Sequence, residues 1–102
     1  MNRYMDLNEF AEYIESKTYK KILFSSVDQK KSSSTLMFRF SFNKIDVFPH
    51  LGFIFLQDHN NRIAITEISR INVDTKRTLL GACITIYQKA DRDPIVLCLV
   101  DN

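Results

Sequence analysis

The sequence predicts an α+β fold, in which an N-terminal helix packs on a twisted antiparallel sheet, or on a half-closed barrel, of five to six strands. Three observations support this prediction. Apolar residues near the N-terminus have helical spacing, and the later segments have the composition of β-strands. The connections between these segments are short, which favours antiparallel neighbours. The chain has 102 residues, 45% of them hydrophobic, so residues 1–102 are expected to form a single domain.

The helix is predicted over residues 6–17. Asp6 suits the N-cap position, and Glu9 stands three residues later, which is the spacing of a capping box. Met5 and Phe10 have the spacing of a hydrophobic staple. The apolar residues that share one helical face are Leu7, Phe10, Ala11 and Ile14.

Six strands are predicted after the helix. Residues 58–61 (DHNN) are expected to form a hairpin turn, because Asp and Asn tolerate the left-handed backbone region. In the next strand the isoleucines change phase, which predicts a bulge or a short helical turn near Thr66–Ser69. The last strand is apolar on both faces and is expected to lie centrally, covered on each side. The predicted strands span residues 20–27, 35–43, 51–57, 62–73, 79–89 and 95–100.

Large apolar side chains stand at every second position from Leu36 through Phe38 and Phe40 to Phe42. This alternation places them on one face of a strand. One interpretation is a face that packs against the helix. The other is a platform on which nucleic-acid bases stack, as they do on RNA-recognition sheets. The glycine between the first basic and first aromatic residue of that signature is absent. We therefore predict that these four residues, the Phe stripe, belong to the core.

Basic residues are concentrated in the segment 20–44. Residues 19–49 contain six Lys or Arg and two Asp, whereas the whole chain has a net charge of only +2. This segment supplies a candidate binding surface, which could contact phosphates or another anionic surface. Lysines on an edge strand also discourage sheet-to-sheet aggregation, and that alternative stays open. The residues of the candidate surface are Lys20, Lys21, Lys30, Lys31 and Arg39.

No motif in the sequence indicates catalysis, a cofactor or a metal. Two glycines are too few for a P-loop or a dinucleotide-binding loop, and no serine stands in a nucleophile-elbow motif. His50 and His59, together with the two cysteines, lack the spacing of a zinc site. We therefore expect no catalytic, cofactor-binding or metal-binding residues, and we expect that the protein is not an enzyme.

The two cysteines, Cys83 and Cys98, lie within apolar runs, where cysteine behaves as a small buried hydrophobe. We expect both thiols to be reduced and inert, which favours a cytoplasmic location. The N-terminus lacks the pattern of a signal peptide. No apolar run approaches the length of about 20 residues that a membrane span requires, so no span is predicted.

These observations favour a protein-binding module, such as an adaptor, an inhibitor or an accessory protein, which acts through a sheet face or edge. One short helix cannot cover all the remaining apolar residues, so a second layer is expected: a barrel wall, a partner protein or a twin subunit in a homodimer. The alternative is weak binding of single-stranded nucleic acid through the basic segment 20–44. The second alternative is a small-molecule-binding or enzymatic barrel. The surplus apolar residues are Tyr19, Leu23, Phe48, Phe53, Phe55 and Tyr87.

Overall fold

The computed structural model describes residues 2–19, 21–26, 40–74, 81–90 and 92–100. Within these residues the chain forms one helix and nine strands. In chain order the elements are β1 (Asn2–Met5), α1 (Leu7–Glu15), β2 (Lys21–Ser26), β3 (Phe40–Phe42), β4 (Lys44–Phe48), β5 (Phe53–Gln57), β6 (Arg62–Ile65), β7 (Ile68–Asp74), β8 (Gly81–Gln88) and β9 (Ile95–Val100).

The strands form two antiparallel sheets. One sheet has six strands in the order β1-β7-β8-β9-β2-β3, and the other has three in the order β4-β5-β6. Every pair of neighbours is antiparallel, as the short connections predicted. A helix combined with antiparallel sheet is therefore confirmed. The predicted number of strands is wrong, because the described residues alone form nine strands in two sheets, and the half-closed barrel is wrong as well.

The chain passes from one sheet to the other at two corners. These corners account for part of the difference between the predicted and the observed number of strands. The first corner is Asn43, between β3 in the six-stranded sheet and β4 in the three-stranded sheet. The second corner is Thr66–Glu67, between β6 and β7. Strands that bend from one sheet into another are typical of packed sheets with shared corners. A sequence pattern cannot show which sheet each half of such a strand joins.

The second corner lies where the isoleucine phase predicted an irregularity. Glu67 has a φ of +52°, in the left-handed region, and the register between β7 and β8 shifts between Ile68 and Arg70. The break near Thr66–Ser69 is therefore confirmed, and it divides the predicted strand 62–73 in two.

The helix begins as predicted. The Asp6 carboxylate accepts a hydrogen bond from the backbone N–H of Glu9 at 2.8 Å, and a Glu9 carboxylate oxygen accepts one from the backbone N–H of Asp6 at 3.4 Å. The capping box is therefore present. The helix ends at Glu15, two residues earlier than predicted, where the hydroxyl of Ser16 donates to the carbonyl of Tyr13 at 2.8 Å. Competition of this kind by serine side chains is typical of helix ends.

Two strands, β1 and β4, were not predicted. β1 has four residues, too few to show an alternating pattern, and it pairs with β7, which lies far from it along the chain. The strand predicted at 51–57 begins at Phe53, because the backbone N–H groups of Leu51 and Gly52 donate to the Phe48 carbonyl in a turn. Parts of the predicted strands lie outside the described residues, namely positions 20, 27, 35–39, 79 and 80.

The last strand is central, as predicted. β9 lies between β8 and β2, and its residues from Val96 to Leu99 are all buried. Leu97 and Leu99 belong to the core that the helix and both sheets share. Val96 and Cys98 alternate with them and are buried on the opposite face. A strand that is covered on both faces needs no polar alternation, which explains its continuous apolar sequence.

One core lies between the helix and the inner faces of both sheets. The helix contributes Phe10 and Ile14 and contacts β1, β4 and β7. The buried core residues are Met5, Phe10, Ile14, Ile22, Phe42, Ile45, Ile54, Leu56, Ile65, Ile71, Val73, Ile84, Ile86, Leu97 and Leu99. α1, the one helix within the described ranges, has nine residues and falls short of a membrane span.

The Phe stripe is only partly in this core. Phe42 is 3% exposed and belongs to the core, but Phe40 is 56% exposed, so the core prediction is wrong for Phe40. β3 is a three-residue strand at the edge of its sheet, and the ring of Phe24, with its centroid at 6.2 Å, covers Phe40 incompletely. Leu36 and Phe38 lie outside the described residues.

Candidate functional site

The outer face of the three-stranded sheet carries an aromatic cluster. Along β5 the inward residues Ile54 and Leu56 are fully buried, which turns Phe53 and Phe55 to the opposite face. Phe48 lies directly opposite Phe53 in the β4–β5 pair and shares that face. Together with two neighbours described below, these rings form a surface that we call the Phe face: Phe48, Leu51, Phe53, Phe55 and Arg62.

The three rings of the Phe face hold one another in position. Their centroids are 4.8 Å apart for Phe53 and Phe55, and 5.6 Å apart for Phe48 with each of the other two. The planes of Phe53 and Phe55 meet at 73°, an edge-to-face arrangement that aromatic pairs prefer. Because the rings restrain each other, little side-chain entropy remains to be lost when a ligand covers them.

The turn between β4 and β5 adds the most exposed apolar residue of this surface. Leu51 is 66% exposed, and Phe48, which begins the turn, is 37% exposed. Gly52 closes the turn with a φ of +78°, a backbone conformation that favours glycine. Single exposed apolar residues are ordinary on protein surfaces, whereas a contiguous apolar patch is a candidate interaction site.

Charged and polar residues border the rings. The Arg62 guanidinium lies 3.7 Å from the centroid of Phe55, in a cation–π contact. Lys44 forms an ion pair of 3.6 Å with Asp46, which also accepts a hydrogen bond from the side-chain amide of Gln57. The surface thus has an apolar centre and a polar border, the arrangement that protein interfaces show.

The hairpin turn between β5 and β6 positions Arg62. The Asp58 carboxylate accepts hydrogen bonds from the backbone N–H groups of Asn60 at 2.8 Å and Asn61 at 2.7 Å, which confirms the predicted turn. These two hydrogen bonds stabilise the charged carboxylate and lower the pKa of Asp58 below its ordinary value. Arg62, at the start of β6, pairs with Gln57 and therefore faces the same side as the rings.

A small cleft continues this surface toward the six-stranded sheet. It has a volume of about 150 Å³ and lies between β3 and the start of β6. Its apolar wall includes the exposed ring of Phe40, and Arg62 lines both the cleft and the Phe face. The lining residues are Phe40, Ser41, Phe42, Asn61, Arg62 and Ile63.

A second cation–aromatic group lies on the outer face of the six-stranded sheet. The Arg70 guanidinium lies between two rings, 4.6 Å from the centroid of Tyr87 and 5.0 Å from that of Tyr4. Tyr4 is 56% exposed. This group supplies a matched exposed surface that is separate from the Phe face, because it belongs to the other sheet.

Of the candidate binding surface that the sequence predicts in the segment 20–44, the structure describes one residue. Lys21 is exposed in β2, where it pairs with Val100. The other four residues, Lys20, Lys30, Lys31 and Arg39, lie outside the described residues, so their arrangement stays a prediction. Among the residues that the structure describes, no three His, Cys, Asp or Glu side chains lie close enough together to hold a metal ion.

The sequence predicts part of the Phe face. It identifies Phe48, Phe53 and Phe55 as surplus apolar residues, but it does not predict their mutual contact, because its pattern does not indicate β4. Leu51 and Arg62 were not singled out at all. A leucine between proline and glycine, in the segment PHLG, is the local signal that could have indicated Leu51, because such segments form turns.

Comparisons with known proteins add no relatives. No protein-family model matches the chain, and no curated protein or solved structure matches it significantly. Function must therefore be inferred from the geometry and chemistry of the site itself.

Proposed function

We propose that this protein is a non-catalytic protein-binding module, an adaptor, inhibitor or accessory protein, whose partner docks on the Phe face. The observation that carries the proposal is the contact among three phenylalanine rings on the outer side of a sheet, next to the exposed Leu51. Clustered aromatic residues and arginine are the side chains that most often dominate binding energy at protein interfaces.

The size of the Phe face indicates what kind of contact it can make. Three strands of four or five residues cover roughly 14 Å by 16 Å at the usual strand spacings, an area on the order of 220 Å². A stable interface of standard size needs about 800 Å² per partner. The Phe face is therefore the anchor of a contact that either extends onto neighbouring surface or stays transient.

The exposed fraction of Leu51 determines how much binding free energy the burial of this side chain can contribute. Complete burial of a leucine or phenylalanine side chain contributes roughly 1.5–3 kcal/mol. Leu51 has about two thirds of that contribution still to gain, so its burial in a complex contributes about 1–2 kcal/mol, which is about tenfold in Kd.

A second candidate function, weak binding of single-stranded nucleic acid through the segment 20–44, gains one observation. Phe40 presents an exposed ring to solvent, which a stacking platform needs. Among the described residues nearby, Arg62 lines the cleft together with Phe40, whereas the ion pair with Asp46 offsets the charge of Lys44. Few phosphate contacts give only the non-specific affinity of about 10⁻⁴–10⁻⁶ M at physiological salt.

Small-molecule binding receives less support. The cleft beside Arg62 holds about 150 Å³, whereas ligand pockets usually hold about 300–1,000 Å³. We also propose a cytoplasmic location, because two cysteines within apolar runs do not have the sequence pattern of a disulfide framework. A homodimer through the Phe face is one form that the proposed interaction takes, with the second copy as the partner.

The test compares serine substitutions of three residues with similar exposure on three surfaces. Leu51→Ser alters the Phe face, Phe40→Ser alters the cleft, and Tyr4→Ser alters the outer face of the six-stranded sheet. Each side chain is at least half exposed, so each variant is expected to fold, which circular dichroism verifies. Tagged protein captures its partner from host lysate, and the purified partner is then titrated calorimetrically against each variant. Sedimentation over a concentration series measures self-association.

We expect Leu51→Ser to weaken binding of the partner, or self-association, about tenfold and Tyr4→Ser to leave it unchanged. The proposal is wrong if Leu51→Ser binds like the unaltered protein. Submicromolar binding of single-stranded RNA or DNA at about 150 mM salt would favour the second candidate. That binding should then be lost in Phe40→Ser and in a variant with alanine at Lys20, Lys21, Lys30 and Lys31.

A further inference from the structure

The register of the six-stranded sheet brings the two cysteines together. Cys83 in β8 lies directly opposite Cys98 in β9. Directly opposed residues of an antiparallel pair have Cα atoms about 4.5 Å or about 5.5 Å apart, depending on whether they exchange hydrogen bonds. Both distances lie within the range of roughly 4.4–6.8 Å that a disulfide spans. We infer that Cys83 and Cys98 are a redox modification site, at which a reversible cross-strand disulfide forms.

The two thiols differ in accessibility, which assigns their roles. Cys98 is completely buried, whereas Cys83 is partly exposed, so the expectation that both cysteines are buried is wrong for Cys83. Only Cys83 is open to an oxidant from solvent. Cys83 is therefore the attacking cysteine, and Cys98 is the resolving cysteine.

The oxidant is a low-molecular-weight disulfide such as oxidised glutathione. The Cys83 thiolate attacks one sulfur of the oxidant, forms a mixed disulfide and releases one glutathione as its thiol. The Cys98 thiolate then attacks the Cys83 sulfur and releases the second glutathione. The protein loses two protons and two electrons, and one oxidised glutathione is reduced to two thiols.

The geometry of the pair favours a labile bond. Opposed side chains have Cβ atoms about 4.5–5.5 Å apart in a regular antiparallel pair, whereas a disulfide brings them to about 3.8 Å. The two central strands must therefore draw together when the bond forms. Strained disulfides are more easily reduced, and such bonds are regulatory more often than structural.

The same row of the sheet carries a charge beside the reactive thiol. Asp74 in β7 lies directly opposite Cys83 on the side away from Cys98. A neighbouring carboxylate disfavours the thiolate, which is the reactive form, whereas positive charge favours it. Asp74 therefore slows the first attack, and Asp74→Asn is expected to speed it.

The experiment uses the whole protein. Reduced protein is incubated with oxidised glutathione, quenched with N-ethylmaleimide, denatured and weighed intact by mass spectrometry. We expect a monomer that has lost the mass of two hydrogen atoms and carries no maleimide, and we expect dithiothreitol to restore two reactive thiols. Two maleimide adducts after prolonged oxidation, a lasting glutathione adduct or a disulfide-linked dimer would each overturn the inference.

Single variants test the roles. Cys98→Ala should retain a glutathione adduct on Cys83, since nothing resolves it, whereas Cys83→Ala should acquire no adduct while folded. Asp74→Asn should form the disulfide severalfold faster than the unaltered protein. An adduct on Cys98 in folded Cys83→Ala would refute the assigned order. Circular dichroism verifies folding, and the mass of the unaltered protein decides the inference even where a variant does not fold.

Discussion

Phe40 and Phe42 offer a matched test of the fold, because they share a strand, a face and a residue type. Phe42 pairs with Ile22 and is 3% exposed, whereas Phe40 pairs with Phe24 and is 56% exposed. Phe42→Ala removes a buried ring and leaves a cavity, which costs roughly 3–5 kcal/mol of unfolding free energy. Phe40→Ala loses less than half of a burial contribution of roughly 1.5–3 kcal/mol, which is about 1 kcal/mol.

Thermal unfolding separates the two variants clearly. For a domain of about 100 residues, 1 kcal/mol corresponds to roughly 4–8 °C in Tm. Phe40→Ala should therefore lower Tm by about 4–8 °C and Phe42→Ala by at least about 12 °C. Urea unfolding of both variants, with unchanged dependence on denaturant, would establish that stability alone has changed. Equal losses of Tm would indicate that both rings are buried in the core and would refute the exposed edge position of Phe40.

Two further predictions concern the turns. Because hydrogen bonds from Asn60 and Asn61 lower the pKa of Asp58 from its ordinary value of 3.8, its contribution to stability is present above that value and is lost as pH falls through the folded pKa. The unfolding free energy of Asp58→Asn, measured with urea at several pH values, should accordingly lack this part of the loss in acid. A loss in acid equal to that of the unaltered protein would contradict the prediction. Gly52 has a φ of +78° and Ala90 a φ of +62°. Gly52→Ala should lower the unfolding free energy by about 1 kcal/mol, and Ala90→Gly should raise it by up to about 1 kcal/mol. A higher Tm for Gly52→Ala, or a lower Tm for Ala90→Gly, would contradict the left-handed backbone conformation at that residue.

The features that the sequence by itself determined are local. The capping box depends on Asp6 and Glu9, which are three residues apart, and the hairpin turn depends on the Asp58 side chain and the two asparagines that follow. Side chains that hydrogen-bond to nearby backbone act in the same way wherever the segment lies in the fold. One feature of the tertiary structure, the central position of β9, was also predictable from the sequence, because a strand that is apolar on both faces must be covered on both faces.

Only the tertiary structure decided which strands share a sheet and which apolar face is buried. The segment from Phe53 to Leu56 is apolar at every position, so its sequence does not say that Ile54 and Leu56 turn inward and the phenylalanines outward. The exposure of Phe40 depends on the short edge strand to which it belongs, and the opposition of Cys83 to Cys98 depends on the register of two strands. The physical reason is that alternation places side chains on two faces of a strand, while burial and register depend on surfaces that distant parts of the chain supply.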